Sequence, residues 1–311
     1  MNIRLLIQSM KSIISISVTL MFFANIQAQQ APSTRYKDIN IDSTYEHTKW
    51  GIGPNDLIYN FAAYTTSFDS DDDNNNDGVG DLWGIPEWVA YEIKKDTGQN
   101  TLKYNRPTWM TDDTLNEQER APNDATYAVS GVRDLKEVSS DSRYVRGHMC
   151  PKNTADRISM EAGYNTHTIL NAVPQLQWQN NGIWKSLESK STDWADKYDR
   201  IWVFCGPVFF NKTPAVWLGQ NSEVKAAVPD ALFKIIIRGT NNGIESLAFI
   251  IPNIIPKKNK NFKKYLTSIS RIEDLTGLTF LTNLNPSIQS AEKSKHLNLT
   301  DSKKKKAVNK W

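Results

Sequence analysis

The second half of the chain is dominated by apolar runs of strand length separated by short polar breaks. "RIWVFCGPVFF" (200–210), "ALFKIIIRG" (231–239) and "ESLAFIIP" (245–252) combine β-branched and aromatic residues and predict three buried strands. Upstream, "LIYNFAAYTTSF" (57–68) and "PEWVAYEI" (86–93) predict two more, and "THTILNAVPQ" (166–175) predicts a buried strand ending at a proline. The period changes in "NNGIWKSLESKSTDWADKY" (180–198). There Trp184, Leu187, Trp194 and Ala195 fall on one stripe at helical spacing, which predicts an amphipathic helix. "SRIEDLTGLTFL" (270–281) predicts a short late helix, and no internal repeat is present. Several strands with few helices indicate an α+β fold: a single domain over 46–285 with a mixed or antiparallel sheet.

The ends of the chain read differently. Arg4 and Lys11 precede the apolar run "SIISISVTLMFFANI", which is followed by "IQA". This is the pattern of a signal peptide over 1–28 with a cut after Ala28, and it predicts a secreted or periplasmic protein with no stable membrane partner after cleavage. An uncleaved N-terminal anchor is the alternative. Residues 29–45 read as a polar tether and 286–311 as a basic C-terminal tail, its "DSKKKKAVNKW" expected to be solvated and mobile. A hydrophobic content of 39% with ten tryptophans supports a sizeable core. A net charge of +3 excludes a histone-like polycation, so any nucleic-acid contact must come from local basic clusters. Two cysteines, Cys150 and Cys205, would meet an oxidising compartment after export; their spacing leaves open whether they pair.

The chemistry concentrates in "YVRGHMCPKN" (144–153), where His148, one of four histidines, stands two residues after Arg146. Downstream lie Asn171, Asn180 and Glu188. In a continuous α-helix the eight residues from Asn180 to Glu188 span about 12 Å and about 800° of rotation, which puts both on one face. An amide oxygen and a carboxylate so placed can hold a hard cation, the carboxylate gripping its water shell. On these residues alone, the competing reading makes Asn180 a helix N-cap and Glu188 a solvated side chain.

"RGHMCP", "LNAVPQ" and "NNGIWKSLE", in this order, resemble the DNA/RNA non-specific endonucleases of the ββα-metal type. The resemblance covers most of 50–285 and includes "EWVAYEI", "WVFCGPVFF" and "SRIEDLTGLTFL". It implies a ββα-metal motif within the α+β domain and a Mg²⁺-dependent hydrolase of DNA and RNA leaving 5′-phosphates, with Mn²⁺ as a possible substitute. It also implies that His148 is the general base, Asn180 the protein ligand of the metal and Glu188 the organiser of the metal's waters. Asn171 supports the site, and Arg146 and Arg106 of "NRPTW" neutralise phosphate. Two departures stand out: Val145 replaces the family's aspartate before Arg-Gly-His, and "HMCPKNTADR" is about two residues longer than the family's turn, so Lys152 is expected near the site.

One motif lies outside this pattern. "DNNNDGVGD" places Asp73, Asn75 and Asp77 at alternating positions, then Gly78 and Asp81, in the acidic stretch 69–84. This is the opening half of a calcium loop, although Gly84 stands where an EF-hand has its glutamate. A structural Ca²⁺ site and a solvated acidic turn are the two readings. The alternative to the enzyme is a catalytically inactive extracellular nucleic-acid-binding module. A carbohydrate-active enzyme would need a carboxylate pair that the sequence does not present.

Overall fold

The computed structural model describes residues 44–54, 57–68, 83–98, 106–107, 109, 144–211, 213–219, 225–254 and 260–311. The expected signal peptide, almost all of the tether and the candidate calcium ligands Asp73, Asn75, Asp77 and Asp81 lie outside them.

In chain order the sheet and ribbon strands are β1 (Leu57–Asn60), β2 (Thr65–Phe68), β3 (Pro86–Lys94), β4 (Tyr144–His148), β5 (Ala172–Leu176), β6 (Arg200–Val208), β7 (Ala231–Thr240), β8 (Gly243–Pro252) and β9 (Leu266–Thr267). Seven of them form one sheet in the order β9-β8-β7-β6-β3-β2-β1, and every neighbouring pair is antiparallel. The helices are α1 (Lys152–Ala155), α2 (Met160–Asn165), α3 (Lys185–Tyr198), α4 (Ile269–Thr276), α5 (Pro286–Lys293) and α6 (Asp301–Asn309).

The apolar runs are continuous, not alternating, because both faces of the sheet are covered. On β6 the odd positions Ile201, Val203 and Cys205 join one core with Trp184, Leu187 and Trp194. The even positions Trp202 and Phe204 join a second core with Ile269, Ile272 and Phe280. The pleat sends successive side chains to opposite faces, so a strand sandwiched this way is apolar at nearly every position.

On the first face, β4 and β5 form a separate two-stranded antiparallel ribbon that pairs Arg146 with Pro174 and His148 with Ala172. β5 pairs with a strand on one side only, so Pro174 is tolerated inside it; on the other edge the Asn253 side chain donates to the Pro174 carbonyl and accepts from Leu176 N–H. The chain then runs through a helical turn (Gln177–Gln179) and a π-helical turn (Asn180–Trp184) into α3. Ribbon, turn and helix together are the expected ββα unit.

Three expectations need correction, and the question left open for the two cysteines is answered. Residues 57–68 are a hairpin of two strands, β1 and β2, instead of one. The strand expected over 166–175 begins only at Ala172, after a short 3₁₀ helix (Ile169–Asn171), and it runs through the proline. Cys150 and Cys205 are both buried and free; the Cys205 thiol instead donates to the carbonyls of Met149 (3.4 Å) and Val89 (3.6 Å). Finally, 301–311 is no solvated tail. It forms α6, with Val308 buried and Trp311 set against Trp194 and Tyr198 at centroid distances of 5.5 and 6.2 Å.

Candidate active site

A cleft of about 720 Å³ opens where β4, α1 and the start of α3 converge. Arg106, Arg146, His148, Lys152, Asn180 and Glu188 all line it, so six residues scattered over more than eighty positions meet in one place.

Strand β4 delivers Arg146 and His148 to the same cleft because they are two residues apart on a pleated strand. Gly147 between them faces the other way, where the Gln175 side chain crosses the ribbon. A Cβ built on Gly147 would lie 1.9 Å from Gln175 Oε1, so only glycine fits. The glycine of "RGH" and the glutamine of "VPQ" are therefore one contact seen from two strands. Gln175 goes on to donate to Gln179, tying the ribbon to the turn that begins the helix.

Beyond His148 the strand is stopped by Asn171. Its Oδ1 accepts from Cys150 N–H (2.8 Å), while its Nδ2 donates to the carbonyls of Cys150 (2.9 Å) and Thr166 (2.9 Å). Asn171 is wholly buried and does not line the cleft. It braces the end of β4 and touches nothing that reacts, which corrects its placement among the catalytic residues.

His148 Nε2 is buried and has no hydrogen-bond partner among the described residues. A buried polar atom left unpaired costs free energy unless water or a ligand meets it. Burial, then the neighbouring His167, Arg106, Arg146 and Lys152, hold the imidazole well below the ordinary histidine range. It is neutral near pH 7 and able to accept a proton.

Sequence reasoning missed His167. It is fully buried and packs edge-on to His148, centroids 4.8 Å apart. Its Nε2 accepts from Arg106 Nε–H at 2.9 Å, while Nδ1 lies 3.2 Å from the Thr166 hydroxyl. These contacts place the proton on Nδ1 and make His167 a neutral acceptor. Burial and then Arg106 depress its pKa to about 4, in keeping with that state. The exposed Arg106 is thus held over the cleft by a buried imidazole. Trp109 completes the cluster, 4.6 Å from the His148 ring and 5.1 Å from the Arg146 guanidinium. The scarcity of histidine was the one signal in the sequence that pointed to His167.

Asn180 is the first residue of the π turn and Glu188 follows four residues after its end, and both line the same cleft. The indole N–H of Trp184, between them, donates to the carbonyl of His148 at 3.3 Å and links helix to strand. Burial raises the Glu188 carboxyl, against a lowering pull from Lys234 and the Trp184 N–H. Lys234 is fully buried on β7; its ammonium sits 4.1 Å from the Trp184 ring centroid and donates to Tyr91 OH at 3.3 Å. A cation–π contact and a hydroxyl make such burial tolerable. Nothing in "ALFKIIIRG" distinguished that lysine from a solvated one. Lys152 lines the cleft as expected and is paired with Asp156 at 2.8 Å.

No group of three or more His, Cys, Asp or Glu able to hold a metal occurs among the described residues. The oxygen donors on the cleft wall are the amides Asn153, Gln177, Asn180 and Asn181 and the carboxylates Asp156 and Glu188, of which Asp156 is engaged by Lys152. That set suits a cation that keeps most of its waters, as Mg²⁺ does, and does not suit zinc.

The sequence profile of the DNA/RNA non-specific endonucleases matches residues 72–287. The chain belongs to this family. Within the DNA/RNA non-specific endonucleases it is similar to a nuclease of Nostoc sp., 28% identical over 222 residues that make up 68% of this chain and 72% of that one. It is also similar to the mitochondrial endonuclease G of Homo sapiens, 26% identical over 63% of this chain and 64% of that one. The nuclease of Serratia marcescens is 26% identical over 67% of this chain and 73% of that one. A crystal structure of an EndoG/EndoGI complex contains a chain that superimposes with a TM-score of 0.59 at 19% identity, covering 77% of this chain and 91% of that one. At that identity the likeness is one of fold.

Proposed function

We propose that the chain is an exported endonuclease that hydrolyses phosphodiester bonds of both DNA and RNA with one Mg²⁺, leaving 5′-phosphates. The observation that carries this reading is that a neutral His148, its Nε2 without a hydrogen-bond partner among the described residues, lines one cleft with Arg146, Asn180 and Glu188.

In this reading His148 Nε2 accepts the proton of the attacking water, for which an imidazole neutral at pH 7 is suited. Arg146 and Arg106 hold the non-bridging phosphate oxygens and favour the charge that builds on them. Asn180 would hold the divalent ion and Glu188 its waters, and the ion would supply charge stabilisation at the leaving oxygen. Every contact is made to phosphate, so neither base identity nor the 2′-hydroxyl is read, and both polymers are substrates.

The test incubates the mature chain with plasmid DNA and with RNA, in Mg²⁺, in Mn²⁺ or in EDTA, beside His148→Ala. Loss of both polymers in Mg²⁺, abolished by EDTA and by the substitution, is expected. If wild type leaves both intact at every metal concentration, the enzyme reading falls and a binding module replaces it. Export is tested separately: the first residue of the protein recovered outside the cytoplasm should be Gln29, and recovery only with the leader intact would overturn the predicted cut.

A further inference from the structure

Outside the family match, which ends at residue 287, α6 carries four consecutive lysines. Lys303, Lys305, Lys306 and the following Lys310 are exposed, as are Lys260 and Lys264 on the neighbouring segment. None of these six has an ion-pair partner among the described residues. The two segments are laced together, Lys304 Nζ donating to the Lys264 carbonyl (3.2 Å) and Lys263 Nζ to Asn309 Oδ1 (2.6 Å). Like charges three residues apart on a helix repel, so this arrangement persists only because something else holds it. The anchors are apolar: Val308 is buried, and Trp311 packs on Trp194 and Tyr198 with the Arg238 guanidinium 5.0 Å from its ring. The fold spends apolar contacts to keep a rigid basic plate on its surface.

The plate is joined to the cleft by α3. Glu188 lines the cleft near one end of that helix, and Tyr198, at the other, meets Trp311. Ten residues of α-helix separate them, about 15 Å. A polymer with a phosphate every few ångströms reaches from one to the other. A membrane surface fits less well, because the apolar residues of α6 face the protein and leave none to enter a bilayer.

We propose that this plate is a second nucleic-acid-binding surface, which captures the backbone of a long substrate while a separate stretch of it occupies the cleft. The proposal rests on the nuclease reading for its choice of polyanion. All its contacts are to phosphate, so it raises affinity for long DNA or RNA regardless of sequence and makes that affinity salt-dependent.

The test replaces Lys303, Lys305, Lys306 and Lys310 together by glutamine in the full chain, with thermal melting as a check on folding. KM for plasmid DNA should rise about tenfold with kcat unchanged, whereas kinetics on a single strand of about six nucleotides should not move. The slope of log affinity against log salt should fall by about 3 to 4. An unchanged KM and slope on plasmid, or equal losses on both substrates, would overturn the proposal. So would unchanged DNA kinetics accompanied by lost binding to phosphatidylglycerol vesicles, which would make the plate a membrane contact. If wild type cleaves nothing, the nuclease reading has failed on its own. Plasmid binding in EDTA then decides the plate: loss on substitution supports it, and no loss removes it.

Discussion

His148 and His167 have rings 4.8 Å apart and similar surroundings, yet their hydrogen bonds give them different tasks. His167 has both nitrogens engaged and holds Arg106, whereas His148 keeps Nε2 without a partner among the described residues. His148→Ala should therefore lower kcat by two to four orders of magnitude. His167→Ala should mainly raise KM, by about tenfold, through a loosened Arg106, and steady-state kinetics separates the two. The pH response has a definite sign. His47, buried with Nδ1 accepting from Glu92 N–H and Nε2 against the Ala62 carbonyl, has its pKa lowered to about 4, chiefly by burial. A depressed folded-state pKa means that this residue's contribution is intact above about pH 6.5 and is lost as pH falls towards 4. At full effect the loss is about 3 kcal/mol. Chemical denaturation at pH 7 and at pH 4 should show the drop, and His47→Gln should make it smaller, with the buried His148 and His167 accounting for part of what remains. Gly147→Ala should destabilise by about 2 kcal/mol, because Gln175 occupies the space a methyl needs.

Among the elements, the helical run from Gln177 to Tyr198 departs most from what its residues foretold. Its apolar stripe was legible: Trp184, Leu187, Trp194 and Ala195 are all buried. The π turn over Asn180–Trp184 was not, since it depends on Gln175 meeting Gln179 and Trp184 reaching His148, contacts between elements that local periodicity does not encode. π turns recur at functional sites because they re-aim side chains within a helix. Deleting Asn181 should restore ordinary helical winding and turn Asn180 by about 100° relative to Glu188. Activity should collapse while circular dichroism at 222 nm stays level; retained activity would mean that the turn does not set the site.

For the molecule as a whole, the C-terminal helix α6 packs on the first core. Trp311→Ala should cost about 1 to 2 kcal/mol and lower Tm by a few degrees, readable by calorimetry, since the indole caps Trp194 and Tyr198. A wild-type Tm left unchanged by dithiothreitol would agree with free thiols at Cys150 and Cys205, and a marked fall would show that they pair.

The sequence by itself determined the fold class and the buried strands, and it singled out His148, Arg146, Asn180 and Glu188, which the fold brings to one cleft. Apolar patterning and short motifs record what each segment must bury and which functional groups it carries. The sequence did not reveal His167 holding Arg106, the bracing role of Asn171, the buried Lys234 under Trp184 or the anchoring of α6. In each case the partner lies dozens to scores of residues away or the signal is a single polar residue in an apolar run. Such contacts exist only once the sheet has brought distant segments within hydrogen-bonding range, so the tertiary structure alone could decide them.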